Sequence, residues 1–117
     1  MLPDGPDRAR AATVLGKAQR SAKDEPQSLV QRLEDPEWQV REDSLLVLGR
    51  LSAEERAPHL GAIAQRLEDS DWHVREMALQ ALGQLSADER ATHVASIVQR
   101  LEDPERRVRR AALQVLR

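Results

Sequence analysis

The tetrapeptide Arg-Leu-Glu-Asp occurs at 32–35, again at 66–69 and again at 100–103, a period of 34 residues. Segments 29–62 and 63–96 agree at 19 of 34 positions without a gap, and 63–83 and 97–117 at 12 of 21. A fixed period of about 20–50 residues confines a chain to stacked-repeat architectures, because so short a unit buries its apolar face only against its neighbours. Composition points the same way. The 117 residues include two Trp and no Phe or Tyr, so the interior must be built from Leu, Val, Ala and Ile. These small aliphatic groups suit closely spaced helices better than one large core. No strand-like alternation persists, and the Ala, Leu, Arg, Glu and Gln bias favours helix, so the expected class is all-α.

Each unit reads as two helices. Ser52 stands three residues before Glu55 and Ser86 three before Glu89, the spacing of a capping box, which starts helix A near Ala53 and Ala87. Helix A is expected to run to about Leu67 and Leu101. Its buried stripe is Leu60, Ile63, Ala64 and Leu67, and in the next copy Val94, Ile97, Val98 and Leu101. Pro58 predicts a kink or fresh start in the first of these helices. Asp35, Asp69 and Asp103 are placed to cap helix B, with Pro36 and Pro104 at its first position. Helix B then turns Val74, Ala78, Leu79, Leu82 and Leu85 inward, and Gly49 or Gly83 ends it. Residues 1–23 read as a partial, capping unit in which Asp7 to about Arg20 is a leftover helix B, and Pro26 to Leu33 reads as a shortened helix A. The repeats proper span 24–117, divided at about 24–51, 52–85 and 86–117.

Other classes are excluded by what the chain lacks. Without cysteine, disulfides, thiol nucleophiles and Cys-based metal sites are impossible. Eighteen Lys and Arg against twenty Asp and Glu give a net charge of −2, so the chain as a whole is no polycation. No apolar run approaches the roughly 18 residues of a membrane span, and the start, MLPDGPDRAR, lacks the apolar stretch of a secretory signal. A cytoplasmic protein with no membrane partner is expected.

The string from Leu67 to Gly83, LEDSDWHVREMALQALG, resembles the second half of a HEAT repeat: an Asp, a few turn residues, Val-Arg, then Ala and Leu-Gly. Val-Arg recurs at Val40-Arg41 and Val108-Arg109, six residues after the matching Asp to the Arg in each case. The resemblance, which takes in the HEAT-like repeats of bilin lyases, implies a right-handed α-solenoid of helical hairpins. It also implies ladders between neighbouring repeats from Asp35, Asp69 and Asp103 and from Arg41, Arg75 and Arg109. Where the family often has a Pro late in helix A, this chain has Gly61 and Ala95.

The repeat itself sorts candidate sites: what recurs serves the stack, and what differs is free to specify a partner. His59 and His93 are equivalent and should lie one helix spacing apart, roughly 8–10 Å. That is far from the approach to about 2.0–2.1 Å that two imidazoles sharing a metal require. No metal site and no cofactor are therefore expected. The paired carboxylates at 34–35, 68–69 and 102–103 recur at a helix junction and read as caps and ladder groups, not as acid–base pairs. Ser52 and Ser86 read as caps, not nucleophiles. Trp38 and Trp72 are equivalent, with Arg106 in the third copy; they read as packing at the mouth of helix B, with an aromatic anchor for a partner as the alternative.

The variable polar positions lie on helix B: Gln39, His73 and Arg107; Glu42, Glu76 and Arg110; Leu46, Gln80 and Gln114. In HEAT-like stacks the B helices line the concave surface, so these positions form the expected binding face, acidic or neutral first and basic last. The expected function is a non-catalytic protein-interaction or scaffold module for another protein. One alternative is nucleic-acid binding through the Arg-rich C-terminal repeat, with Arg100, Arg106, Arg107, Arg109, Arg110 and Arg117. Another is a fragment of a longer array with no site of its own. An enzyme or enzyme accessory, as among HEAT-like bilin lyases and some DNA glycosylases, lacks a non-repeating acid, base or nucleophile. Leu113, Leu116 and Val108 are expected to leave an uncovered apolar edge, open to end-to-end self-association.

Overall fold

The computed structural model describes residues 25–117. The partial unit read at 1–23, with its leftover helix B, lies outside the described residues. Those described contain helices and connecting turns and no strand. In chain order the α-helices are α1 (Pro26–Arg32), α2 (Trp38–Gly49), α3 (Ala53–Arg56), α4 (Leu60–Gln65), α5 (Trp72–Gly83), α6 (Ala87–Ala91), α7 (Val94–Gln99) and α8 (Arg106–Leu116). Single 3-10 turns occupy Ala57–His59, Arg66–Glu68 and Arg100–Glu102. Thus α1, then α3 with α4, then α6 with α7 are the successive A helices, and α2, α5 and α8 are the B helices. Each B helix packs along the next, α2 on α5 and α5 on α8, to form an α-solenoid.

Local chemistry sets the boundaries. Ser52 Oγ accepts from the Glu55 N–H at 3.2 Å while the Glu55 carboxylate accepts from the Ser52 N–H, and Ser86 with Glu89 repeats the box. Both pairs satisfy amide groups that a helix start otherwise leaves open. Pro26 stands at the first position of α1, where a missing N–H costs nothing.

The first A helix breaks beside Pro58, as expected, and the second, for which no break was expected, breaks too. Both break at equivalent places: His59 and His93 take φ near −114° and −115° with ψ near 8° and 9°, and helix resumes at Leu60 and Val94. Pro58 accompanies the first break, but Thr92 stands at its place in the second, so the break does not depend on proline. Both A helices then tighten into 3-10 turns rather than running as α-helix to Leu67 and Leu101.

One further expectation is corrected and another is refined. Asp35, Asp69 and Asp103 do not cap helix B. Each accepts from the N–H two residues on, of Glu37, Asp71 and Glu105, all at 2.9 Å. That bond closes a turn just ahead of the helix, so Pro36 and Pro104 lie in the turn; Glu37, Asp71 and Glu105 take the N-cap position, where of the three only Asp71 accepts through its side chain, from the His73 N–H. Gly49 and Gly83 are the last residues of their helices, as expected, but the ends are not made by a left-handed turn. They are helical, Arg50 and Gln84 follow in right-handed conformation, and no glycine among the described residues has positive φ. Gly49 serves packing: a Cβ there would lie 3.1 Å from the Cα and Cβ of Ala81, so α2 and α5 meet backbone to backbone.

Leu29, Leu33, Leu45, Leu48, Ile63, Leu67, Val74, Ala78, Leu79, Leu82, Ile97 and Val108 are buried in one aliphatic seam that runs along the stack. The apolar edge includes Leu113, as expected, but otherwise lies elsewhere. Val108 is fully buried, like its counterpart Val74, and Leu116 is half-buried. Leu113 is 50% exposed, and with it Val94, Val98 and Leu101 are 41%, 44% and 36% exposed, although the last three were expected in the buried stripe of helix A. Their counterparts Leu67 and Leu79 are buried because a following unit covers them.

Candidate functional site

The polar groups between units form two ladders and one stack. The first ladder joins B helices to the next turn. Arg41, in the first turn of α2, donates from Nη1 to the carbonyl of Asp35 at 2.6 Å, which leaves its Nε and Nη2 edge directed onward. That edge meets both carboxylate oxygens of Asp69 at 3.0 Å. Arg75 repeats the arrangement, donating to the Asp69 carbonyl at 2.8 Å and to Asp103 at 2.8 and 3.0 Å. Asp69 and Asp103 each take a second arginine from three residues earlier, Arg66 at 3.2 Å and Arg100 at 2.9 Å. Burial alone would raise the Asp103 pKa, but the hydrogen bonds from Arg75 and the Glu105 amide, with the charges of Arg75 and Arg100, outweigh it, and the net shift is downward. Planar guanidinium and planar carboxylate match in two bonds, which fixes the angle between units as well as holding them together. Asp35 and Arg109 belong to the same series at its two ends. Arg109 donates to the Asp103 carbonyl at 2.7 Å and is exposed.

The second ladder joins A helices. Arg56 donates to the Leu51 carbonyl and, from Nε and Nη2, to Glu89 at 3.2 and 2.9 Å. The hydrogen bond from Arg56 is the main reason that the Glu89 pKa is lowered to about 2, assisted by the Ser86 amide. Sequence reading missed this ladder. Its signal was present, since Arg56 recurs as Arg90 and Glu89 as Glu55, but both glutamates had been fully assigned to capping.

The stack lies along the starts of the B helices. The ring of His73 sits 4.1 Å from that of Trp38 at 16° and 3.7 Å from that of Trp72 at 24°, and the Arg107 guanidinium lies 5.4 Å from the Trp72 ring centre. Trp38 and Trp72 are half-buried against the aliphatic seam. Each indole is thus covered by the second helical residue of the next B helix, His73 in one case and Arg107 in the other. Asp71 holds His73, accepting from its N–H at 2.8 Å and contacting Nδ1 at 2.9 Å. Beside them Glu42 is half-buried. Burial raises its pKa, His73 opposes the shift, and Asp43, Glu76 and Asp71 add to it.

The expected face residues therefore fall into two groups. His73 and Arg107 are engaged in the stack. Gln39, Gln80, Arg110 and Gln114 are exposed, and Glu42 and Glu76 are half-buried. Gln80 and Gln114 line a shallow cleft between α5 and α8, and Gln80 also borders a smaller one between α2 and α5 with Leu46 and Met77. Among the described residues no group of three His, Asp or Glu side chains is arranged to hold a metal, and no helix is long and apolar enough to cross a membrane.

Stacked helical hairpins locked by guanidinium–carboxylate ladders define an α-solenoid repeat protein. The family model for HEAT repeats matches residues 26–117, and the chain belongs to the HEAT-repeat family. No curated protein matches it.

Proposed function

We propose that the chain is a non-catalytic interaction module which binds another protein on the side of its B helices. HEAT repeats are commonly protein-interaction modules. The observation that carries the reading is the change in character of one row of accessible polar side chains. Glu42 and Glu76, with Asp43 and Asp71 nearby, begin it, Gln80 and Gln114 flank it, and Arg107 and Arg110 end it. In a HEAT-type stack this row lies on the concave side. Rigidity from the ladders keeps the row in register, so a partner with a basic segment followed by an acidic one gains affinity without ordering the receptor.

Affinity purification at two salt concentrations identifies the partner. Glu76→Gln with Arg110→Gln is then expected to weaken it about tenfold or more, each substitution removing one charged contact. His73 is left intact, because its removal would disturb the stack. Unchanged affinity in this double variant would refute the face. A second reading, nucleic-acid binding, is favoured by Arg106, Arg107, Arg109, Arg110 and Arg117, all exposed in or next to α8. It requires steeply salt-dependent binding to random duplex, and no binding at about 50 mM salt removes it.

A further inference from the structure

Between the second halves of α2 and α5 lies a cleft of about 120 Å³ walled by Leu46 and Met77. Gly49 and Ala81 line it where the two helices meet backbone to backbone. An apolar cavity of roughly 150 Å³ takes up one benzene-sized group, so one aliphatic side chain suffices to fill this cleft. Its two ends differ in charge. One helical turn before Leu46 stands Glu42, near Glu76 of α5, and one turn after it Arg50 and Gln84 form the rim. Glu42, Glu76 and Arg50 have no ion pair among the described residues. Burial raises the Glu42 pKa, His73 opposes it, and the charges of Asp43, Glu76 and Asp71 add to it. A half-buried carboxylate among like charges is relieved by an incoming cation.

We propose that this groove takes an amphipathic helix of a partner protein, which presents a lysine or arginine to Glu42 and Glu76, an aliphatic side chain to the cleft and a carboxylate to Arg50. The spacing selects a helix. Glu42, Leu46 and Arg50 follow one another at intervals of four residues, each about 6 Å of rise. Side chains four apart on a second helix advance by the same amount, so the three contacts stay in register. The order of charges selects the partner. A uniformly basic helix meets Arg50 and a uniformly acidic one meets the glutamates, each with repulsion. A nucleic acid has no cation to set against Glu42 and Glu76. Both walls of the groove belong to adjoining units within the described stack, and no surface at either end of it is used. The inference rests on the B-helix face proposed above and adds the chemistry of what that face binds.

Synthetic helical peptides added to the intact chain test it. The first probe carries Lys, Leu and Glu four residues apart in an Ala-Gln host, and three others replace its Lys by Glu, its Glu by Lys, or its Leu by Ser. Met77 is the only methionine besides Met1, so its isotope-labelled methyl reports the cleft directly by NMR. The first peptide is expected to shift that signal with a dissociation constant of about 1 mM or below, and the other three to bind about tenfold more weakly. Arg50→Glu, at an exposed position, is expected to weaken the Lys-Leu-Glu peptide about tenfold and to bind the Lys-Leu-Lys peptide better than the wild type does, a reversal that a defect in folding would not produce. No shift at several times that concentration, equal binding of all four peptides, or a preference that Arg50→Glu fails to reverse overturns the proposal. The purified partner separates it from the face itself. A partner lost by the Glu76→Gln, Arg110→Gln double variant but held at full affinity by Arg50→Glu leaves the face standing and overturns the groove; one that neither variant weakens overturns both.

Discussion

Two glycines at equivalent positions are expected to respond to alanine with opposite signs. Both are helical with negative φ, so each alanine gains helix propensity of up to about 1 kcal/mol, less near a helix end. The new methyl meets different neighbours. At Gly83 it would lie 3.5 Å from Val115 Cγ2, an ordinary contact, and Gly83→Ala should stabilise by roughly 0.5–1 kcal/mol. At Gly49 it would lie 3.1 Å from both Cα and Cβ of Ala81. That is short of the roughly 3.5–4.0 Å optimum by about 0.4–0.9 Å. Neither atom can move by a change of rotamer, so α2 and α5 must part along their buried line, at an overpacking cost of about 1–3 kcal/mol. Gly49→Ala should therefore destabilise by roughly 1 kcal/mol net, the cost exceeding the propensity gain. Thermal unfolding followed by circular dichroism reads the pair, since about 1 kcal/mol shifts the midpoint of a chain this size by about 4 °C. If Gly49→Ala melted at or above the wild type, the close approach of α2 and α5 would not be what keeps glycine there.

The remaining expectations concern the ladders. Arg75→Gln should cost about 2 kcal/mol, below the 3–5 kcal/mol of a fully orphaned buried charge because Asp103 keeps Arg100 and the Glu105 amide; Arg109→Gln, measured at low protein concentration, should cost at most about 0.5 kcal/mol. Urea midpoints of the two variants check the contrast, and equal losses would refute it. Acid should weaken the fold in a defined window. Glu89 and Asp103 both have lowered native pKa values, so the contribution of each is complete above its unfolded value, 4.5 for Glu89, and is lost as pH falls through the native one, about 2 for Glu89. Arg56→Gln should flatten that decline between pH 4.5 and about 2, and an acid limb of unchanged slope would show that the Arg56–Glu89 pair is not its source.

What was legible in the sequence was what one unit does for itself. The Ser-x-x-Glu boxes, the inward row from Val74 to Leu85 and the start at Pro26 depend on neighbours three or four residues away, and local pattern exposes these. What was not legible lies between units. Comparing positions 34 apart finds equivalents, yet the contacts join non-equivalent positions: Arg56 to Glu89 across 33 residues and Trp38 to His73 across 35 were not anticipated, and Arg41 to Asp69 across 28 was expected only through the family resemblance. The role of Gly49 was hidden for the same reason, since its neighbour Ala81 is not its counterpart. The break at His93 carries no proline to announce it.

That offset also changes what variation between repeats means. Gln39, His73 and Arg107 differ in type, and on repeat arithmetic alone their freedom to vary would mark them as partner-specifying. Yet His73 and Arg107 do one job, each covering the indole of the preceding unit, because a flat imidazole and a flat guanidinium both suit an aromatic face. Variation there is substitution between two solutions to the same packing problem. It follows that the partner-binding proposal rests on positions without such an inward task. Glu76, Gln80, Arg110 and Gln114 are what a partner can contact without dismantling the stack.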